Sequence, residues 1–133
     1  MNLRSSRVRE RLSLAVEHLA TADKKLVERV LDAYEDHLSS LMSKEFPDQE
    51  TRQAFEDIER LVSEIWKKVE QKRAAYESLL RRRARPIEIA KRTLDYRVAR
   101  KLAKLVARLY FKVEECVLDE YERELDCAPK KKL

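Results

Sequence analysis

Arg81, Arg82, Arg83 and Arg85 crowd around Pro86 in the stretch RRRARPIEIAKR, residues 81–92, in a chain that contains no glycine. Guanidinium groups at that density suit one task above others, the holding of phosphate. Each is planar and permanently charged, and offers paired N–H donors that match two oxygens at once. A second set, Arg97, Arg100, Lys101 and Lys104, recurs at helical spacing just beyond, with Arg108 continuing the stripe before it changes sign to Glu115, Asp119, Glu122 and Asp126. Residues 67–112 carry sixteen Lys and Arg against four Asp and Glu, a net of +12, while 21–66 and 113–128 each sum to −6. Charge runs on helices are ordinarily solvated faces. Twelve net positive charges on one segment nevertheless repel one another, and an anionic partner relieves that repulsion. Nucleic acid rewards such clustering through counterion release. The eight residues of the two sets are therefore expected to contact the phosphate backbone of DNA or RNA. No zinc-finger spacing, RNP motif or helix-turn-helix accompanies them, so binding would follow backbone and shape and not base sequence.

Other residues with chemistry to offer are scattered. Arg11 and His18 share a helix with six residues between them, a pairing that chance produces readily, and His37 falls near an apolar face where a packing histidine is the ordinary occupant. Cys116 and Cys127 lie eleven apart on one helix, roughly 16 Å along its axis, which is beyond disulfide reach and consistent with free thiols in a reducing compartment. Two histidines and two cysteines so placed make no metal pattern, and the acidic run EECVLDEYERELD lacks the turns that would converge its carboxylates on a cation. Trp66 and Tyr76 sit at or beside heptad positions, where aromatics are core more often than stacking platforms. The expectation is a protein that is not an enzyme and uses no cofactor, metal or small-molecule substrate.

The elements that must position these residues are helices. Charged residues make up 41% of the chain, against roughly a quarter in ordinary globular proteins, and glycine is absent. Strands need turns, and the chain lacks the residues that make them. Val8, Leu12, Ala15, Val16 and Leu19 give a first helix, capped by Ser5 or Ser6. Thr21 is placed to cap a second, whose apolar pairs run from Leu26/Val27 to Leu41/Met42. Pro47 and Asp48 stop it and start a third, with a heptad through Phe55, Ile58, Val62, Ile65, Val69, Lys72, Tyr76 and Leu79 and no breaker before Pro86. The fourth is expected from near Pro86 to about Asp126, turning Leu94, Val98, Leu102, Leu105, Leu109 and Val113 to one side. At Pro86 a corner competes with a kink in one long helix, and with an irregular connector before a fourth helix capped by Thr93.

With a corner at Pro86, the lengths predict an all-α protein: a four-helix bundle of two short and two long helices with a protruding antiparallel two-helix coiled-coil arm. The single domain spans 1–128, with the bundle drawn from about 5–66 and 106–126, the arm from about 67–105, and a basic tail over 129–133. The arm's uncovered apolar face, Tyr76, Leu79, Leu80, Leu94, Val98 and Leu102, is the expected interface of a homo-oligomer or of a larger complex, and this is the alternative use of the arm. No segment has signal-peptide or membrane-span character, which implies a soluble, cytoplasmic protein that does not act at a membrane.

Overall fold

The structure is a computed structural model and describes the backbone of residues 3–127 and the side chains of 6–125. Among the described residues it is all helical. Five helices pack together: α1 (Leu3–Thr21), α2 (Leu26–Ala33), α3 (Gln49–Leu80), α4 (Pro86–Thr93) and α5 (Tyr96–Cys127). A π turn, Tyr34–Leu38, prolongs α2, and a 3-10 turn, Ser43–Glu45, precedes α3. The expected tail, 129–133, lies outside the described residues; neither Ser5 nor Ser6 caps α1, because the helix already begins at Leu3 and both stand inside it.

Local chemistry sets each boundary. Thr21 does not cap the second helix. It ends the first, its hydroxyl donating back to the Glu17 carbonyl at 2.7 Å. The α1–α2 corner is closed by Arg29 instead, whose guanidinium donates to the Leu19 carbonyl at 2.7 Å and satisfies one of the last acceptors of α1. Asp48 caps α3 as its sequence position implies, Oδ1 accepting from the Thr51 amide at 2.7 Å. At the far end of α3, Arg81 takes the left-handed conformation, φ 55° and ψ 32°, and its amide and that of Arg82 return to the Ser78 and Glu77 carbonyls. An arginine thus occupies the position that glycine usually fills.

Beyond Arg81 the structure departs from a single fourth helix. Pro86 stands in the first turn of α4, where its missing N–H costs nothing. This helix is only eight residues long and buries Ile87, Ile89 and Ala90. Thr93 closes α4, donating to the Ile89 carbonyl at 2.8 Å. Asp95 starts α5, accepting from the Arg97 amide at 2.7 Å. α4 folds back along α3 and also touches α2, so that residues 93–98 come to lie against Leu61, Ile65 and Val69. The long two-helix arm over 67–105 is not seen in that form. The reason is the Leu94–Asp95 break, which lets the chain return toward the bundle before α5 begins.

The core runs the length of the bundle. Val8 and Leu12 of α1, Val30 and Leu31 of α2, Phe55 and Ile58 of α3, Ile89 of α4 and Leu102, Val106 and Leu109 of α5 are all but sealed from solvent. Phe46, between the 3-10 turn and α3, stacks on Phe55 with ring centroids 4.6 Å apart. Burial along the α3 heptad ceases after Val69: Lys72 is exposed, Tyr76 half-buried and Leu79 81% exposed. α3 and α5 run antiparallel, since Val98 lies beside Leu61 and Ile65 while Lys112 pairs with Glu50 at 3.0 Å.

Candidate nucleic-acid interface on helix α5

One side of α5, marked by Ala99, Leu102, Val106, Leu109, Val113 and Val117, is buried in the bundle. A helix repeats every 3.6 residues, so the opposite side falls on Arg97, Arg100, Lys104, Phe111, Glu115, Leu118 and Glu122, with Lys101, Arg108 and Asp119 on its flank. All ten are exposed. This face is free along almost the whole helix. Arg97, Arg100, Lys101, Lys104 and Arg108 line a shallow groove floored by Leu105, and none of the five makes a salt bridge to a described residue. Some cations elsewhere are used internally: Arg9 holds Glu114 through two bonds, 2.7 and 3.0 Å, Lys112 holds Glu50, and Arg7 reaches Glu45, whereas Lys67, Lys68, Lys72 and Arg92 are exposed without a salt bridge to a described residue, like the five.

The arginines around Pro86 behave differently. Arg82 is clamped to Glu88, one of its contacts measuring 3.2 Å, and this guanidinium holds the Glu88 carboxyl below its ordinary value. Arg85 reaches Glu35 at the π turn of α2, 2.7 Å away. Glu77, held low first by Arg73 and then by the Ala84 amide, ties the loop back to α3. Arg81 and Arg83 remain exposed without a salt bridge. Of the eight cations that the sequence singles out, four on α5 share one face, with Arg108 as a fifth. The four in the loop are split between internal pairing and solvent, and α4 stands between the two groups.

The expected oligomer surface is divided as well. Leu102 is fully buried within its own chain, and Leu94 and Val98 are half-buried against α3, because α4 and the start of α5 return to the bundle. Tyr76 and Leu80 are half-buried against the core, leaving Leu79 as the one fully exposed member of the set. Exposed apolar side chains gather instead on the outer side of α5, where Phe111 is 63%, Leu118 57%, Tyr121 59% and Leu125 59% exposed. Phe111, Leu118 and Leu125 lie off the apolar stripe that the sequence pattern picks out on this helix. What sequence could not show is that its neighbours would leave that edge bare.

Two further clusters have chemical interest. Asp48 accepts from the Thr51 amide and hydroxyl side and from the Cys116 thiol. Burial alone would raise its carboxyl, but these donors and Arg52 bring it below the ordinary value. The same contact acts in reverse on Cys116, whose thiol burial and the Asp48 charge push up to about 11. A thiol so shielded is a poor nucleophile. His18 and His37, distant in sequence, meet edge to face with ring centroids 5.8 Å apart. His18 Nε2, His37 Nδ1 and Arg29 Nε are buried without a partner. Among the described residues no group of three or more potential metal ligands converges.

Comparison with protein-family models, curated proteins and solved structures finds no match for this chain. Among the described residues no helix is long and apolar enough to cross a membrane.

Proposed function

We propose that this is a non-enzymatic nucleic-acid-binding protein that holds the phosphate backbone on the basic face of α5. The observation that carries the reading is the row Arg97, Arg100, Lys101, Lys104 and Arg108, exposed over three turns of one rigid helix with no acidic partner among the described residues. Cations on a helix have their backbone already ordered, although each side chain still loses rotamer freedom on binding, and they release counterions from the polymer they meet. Arg81 and Arg83 extend the positive field without belonging to the same face. Arg82 and Arg85 contribute less than their neighbours, since Glu88 and Glu35 already neutralise them. No part of the face offers a fixed set of donors to a base edge, so the reading is backbone recognition without sequence preference.

Anisotropy titration of labelled duplex DNA and RNA at several salt concentrations tests it. Five phosphate contacts give a slope of log K against log salt of roughly −4.5 on a duplex. Changing Lys101, Lys104 and Arg108 together to Glu lowers the slope by roughly 2.7 and weakens all sequences alike. The pair Arg82→Ala and Arg85→Ala has a much smaller effect. Absence of binding to either polymer at about 50 mM salt, or a triple variant that binds like the wild type, sinks the reading. A second use of the same face, in assembly, is favoured by the order of its charges.

A further inference from the structure

The exposed face of α5 has a symmetry that nucleic-acid binding does not require. Its cations Arg97, Lys101, Lys104 and Arg108 are spaced by four, three and four residues, and the acids that follow, Glu115, Asp119, Glu122 and, by sequence, Asp126, repeat the same spacing. For these eight residues the stripe reads the same from either end with its sign inverted; Arg100, whose mirror position is Arg123, does not follow it. The point of inversion falls between Phe111 and Lys112. Counted from it, Arg108 and Glu115 stand at equal distances on opposite sides, as do Lys104 and Asp119, and Lys101 and Glu122.

From this face we infer that a second copy of the chain docks on α5 antiparallel to the first, about a twofold axis at Phe111 and Lys112. Turning the helix end for end sets Lys101 against Glu122 of the partner subunit, Lys104 against Asp119 of the partner subunit and Arg108 against Glu115 of the partner subunit, and each pair occurs twice. A parallel pairing would set like charge against like, so the pattern selects one orientation. On their own helix the acids are far from the cations of the stripe: the nearest pair, Arg108 and Glu115, is separated by roughly 10 Å of helix rise, and Lys101 and Glu122 by roughly 32 Å. Neither Lys101, Lys104 and Arg108 nor Glu115, Asp119 and Glu122 are committed to salt bridges with other described residues.

The apolar content of the face agrees with the same axis. Phe111, 63% exposed with solvent on its outer side, lies at the axis and would meet its own counterpart, and Leu118, 57% exposed, lies beside the partner's basic half, against the aliphatic stems of Arg100 and Lys104. The charged residues of the face paired above, with Phe111 and Leu118, are exposed, so α5 can be approached along its length; Lys112, at the axis itself, is half-buried and turned to Glu50 at 3.0 Å. The contact is isologous and closes at two copies. It uses the cations assigned above to phosphate but does not depend on that assignment, because it is argued from the order of charges and from Phe111.

Two charge-reversed chains test the inference in the absence of nucleic acid. In the first, Lys101, Lys104 and Arg108 become Glu; in the second, Glu115, Asp119 and Glu122 become Lys. Light scattering at low salt is expected to give twice the 15.8 kDa chain mass for the wild type and the single chain mass for each variant alone. An equimolar mixture of the variants is expected to return to twice the chain mass, because each then offers what the other lacks. All six positions are exposed and take good helix formers, and circular dichroism confirms that both variants fold. A wild type that stays monomeric at about 100 μM, a level that a contact of even modest affinity would populate, overturns the inference. So does a variant that still dimerises alone, or a mixture that fails to associate. Titrating a third chain, with Glu115, Asp119 and Glu122 changed to Gln, with duplex DNA reads the phosphate assignment separately, since it keeps every cation of the face and adds none.

Discussion

Asp48 does two things with one carboxylate: it caps the longest helix of the bundle half and it holds the Cys116 thiol from the facing helix. Because its folded value is depressed, its contribution to stability is present in full above the ordinary carboxylate range and is lost as the pH falls through the lower folded value. Replacement by Ala is expected to cost about 0.5–2 kcal/mol at neutral pH. In urea titrations that difference should shrink in acid, and one that persists unchanged well below the folded value would refute the role of the charge. The Cys116 side gives an independent reading. With its thiol raised from 9.0 to about 11, the thiolate fraction at pH 8 is roughly a hundredfold below that of an ordinary cysteine. Alkylation of Cys116, followed on its own peptide by mass spectrometry, is expected to be slow in the wild type and faster in Asp48→Asn, which keeps a capping side chain but removes the charge. Equal rates would show that burial alone protects the thiol.

At the scale of elements, the helical class, the Asp48 start of α3 and the break at Pro86 all follow from residues whose local physics is decisive. A carboxylate before an apolar-periodic run caps it, and a proline cannot continue a helix interior. Thr21 misleads because a hydroxyl can cap the next helix or bond back into its own, and which it does depends on where α2 docks. The Leu94–Asp95 break was legible only in part: the reading with a last helix capped by Thr93 starts it close to where α5 begins, but takes residues 85–92 as a connector where the structure has α4. The apolar period runs through it unbroken, and only tertiary contact of α4 with both α3 and α2 makes the extra turn worthwhile. Lys91 shows that contact directly, pairing at 2.6 Å with an Asp32 that also meets Lys24 at 3.3 Å. Among the candidate site residues, the α5 stripe was visible as spacing, but the neutralisation of Arg85 was not, because Glu35 lies fifty residues from it in the chain, and that of Arg82 depends on the turn before α4 that brings Glu88, six residues on, back to it. Arg81 offers a test at this scale. Its left-handed backbone costs an ordinary residue about 1 kcal/mol that glycine does not incur, so Arg81→Gly is expected to stabilise the fold by about 0.5–1 kcal/mol in denaturant titrations. A destabilised variant would mean that the Arg81 side chain contributes more than its exposure implies.

For the molecule as a whole, α5 is packed against the bundle along one side and exposed along the other, positive along its first half and negative along its second. Phosphate binding and the antiparallel contact draw on the same cations, and a partner's acids laid over Lys101, Lys104 and Arg108 leave them nothing to offer a polymer. Self-association and nucleic-acid binding are then mutually exclusive, with free protein concentration and salt setting the balance: a dimer reservoir at high concentration, a binding monomer at low. Locking the dimer tests the exclusion. Phe111→Cys places a thiol next to the proposed axis, where facing helices 8–10 Å apart bring the two copies within disulfide reach, and Ser at Cys116 and Cys127 removes competing thiols. Oxidised, this protein is expected to lose tenfold or more of its affinity for duplex DNA, and reduction should restore it. The reduced form controls for the lost phenyl ring, and its salt slope should match the wild type. A locked dimer that binds as tightly as its reduced form would separate the two surfaces, placing the phosphate contacts on Arg81, Arg83 and the α3 lysines, away from the α5 face.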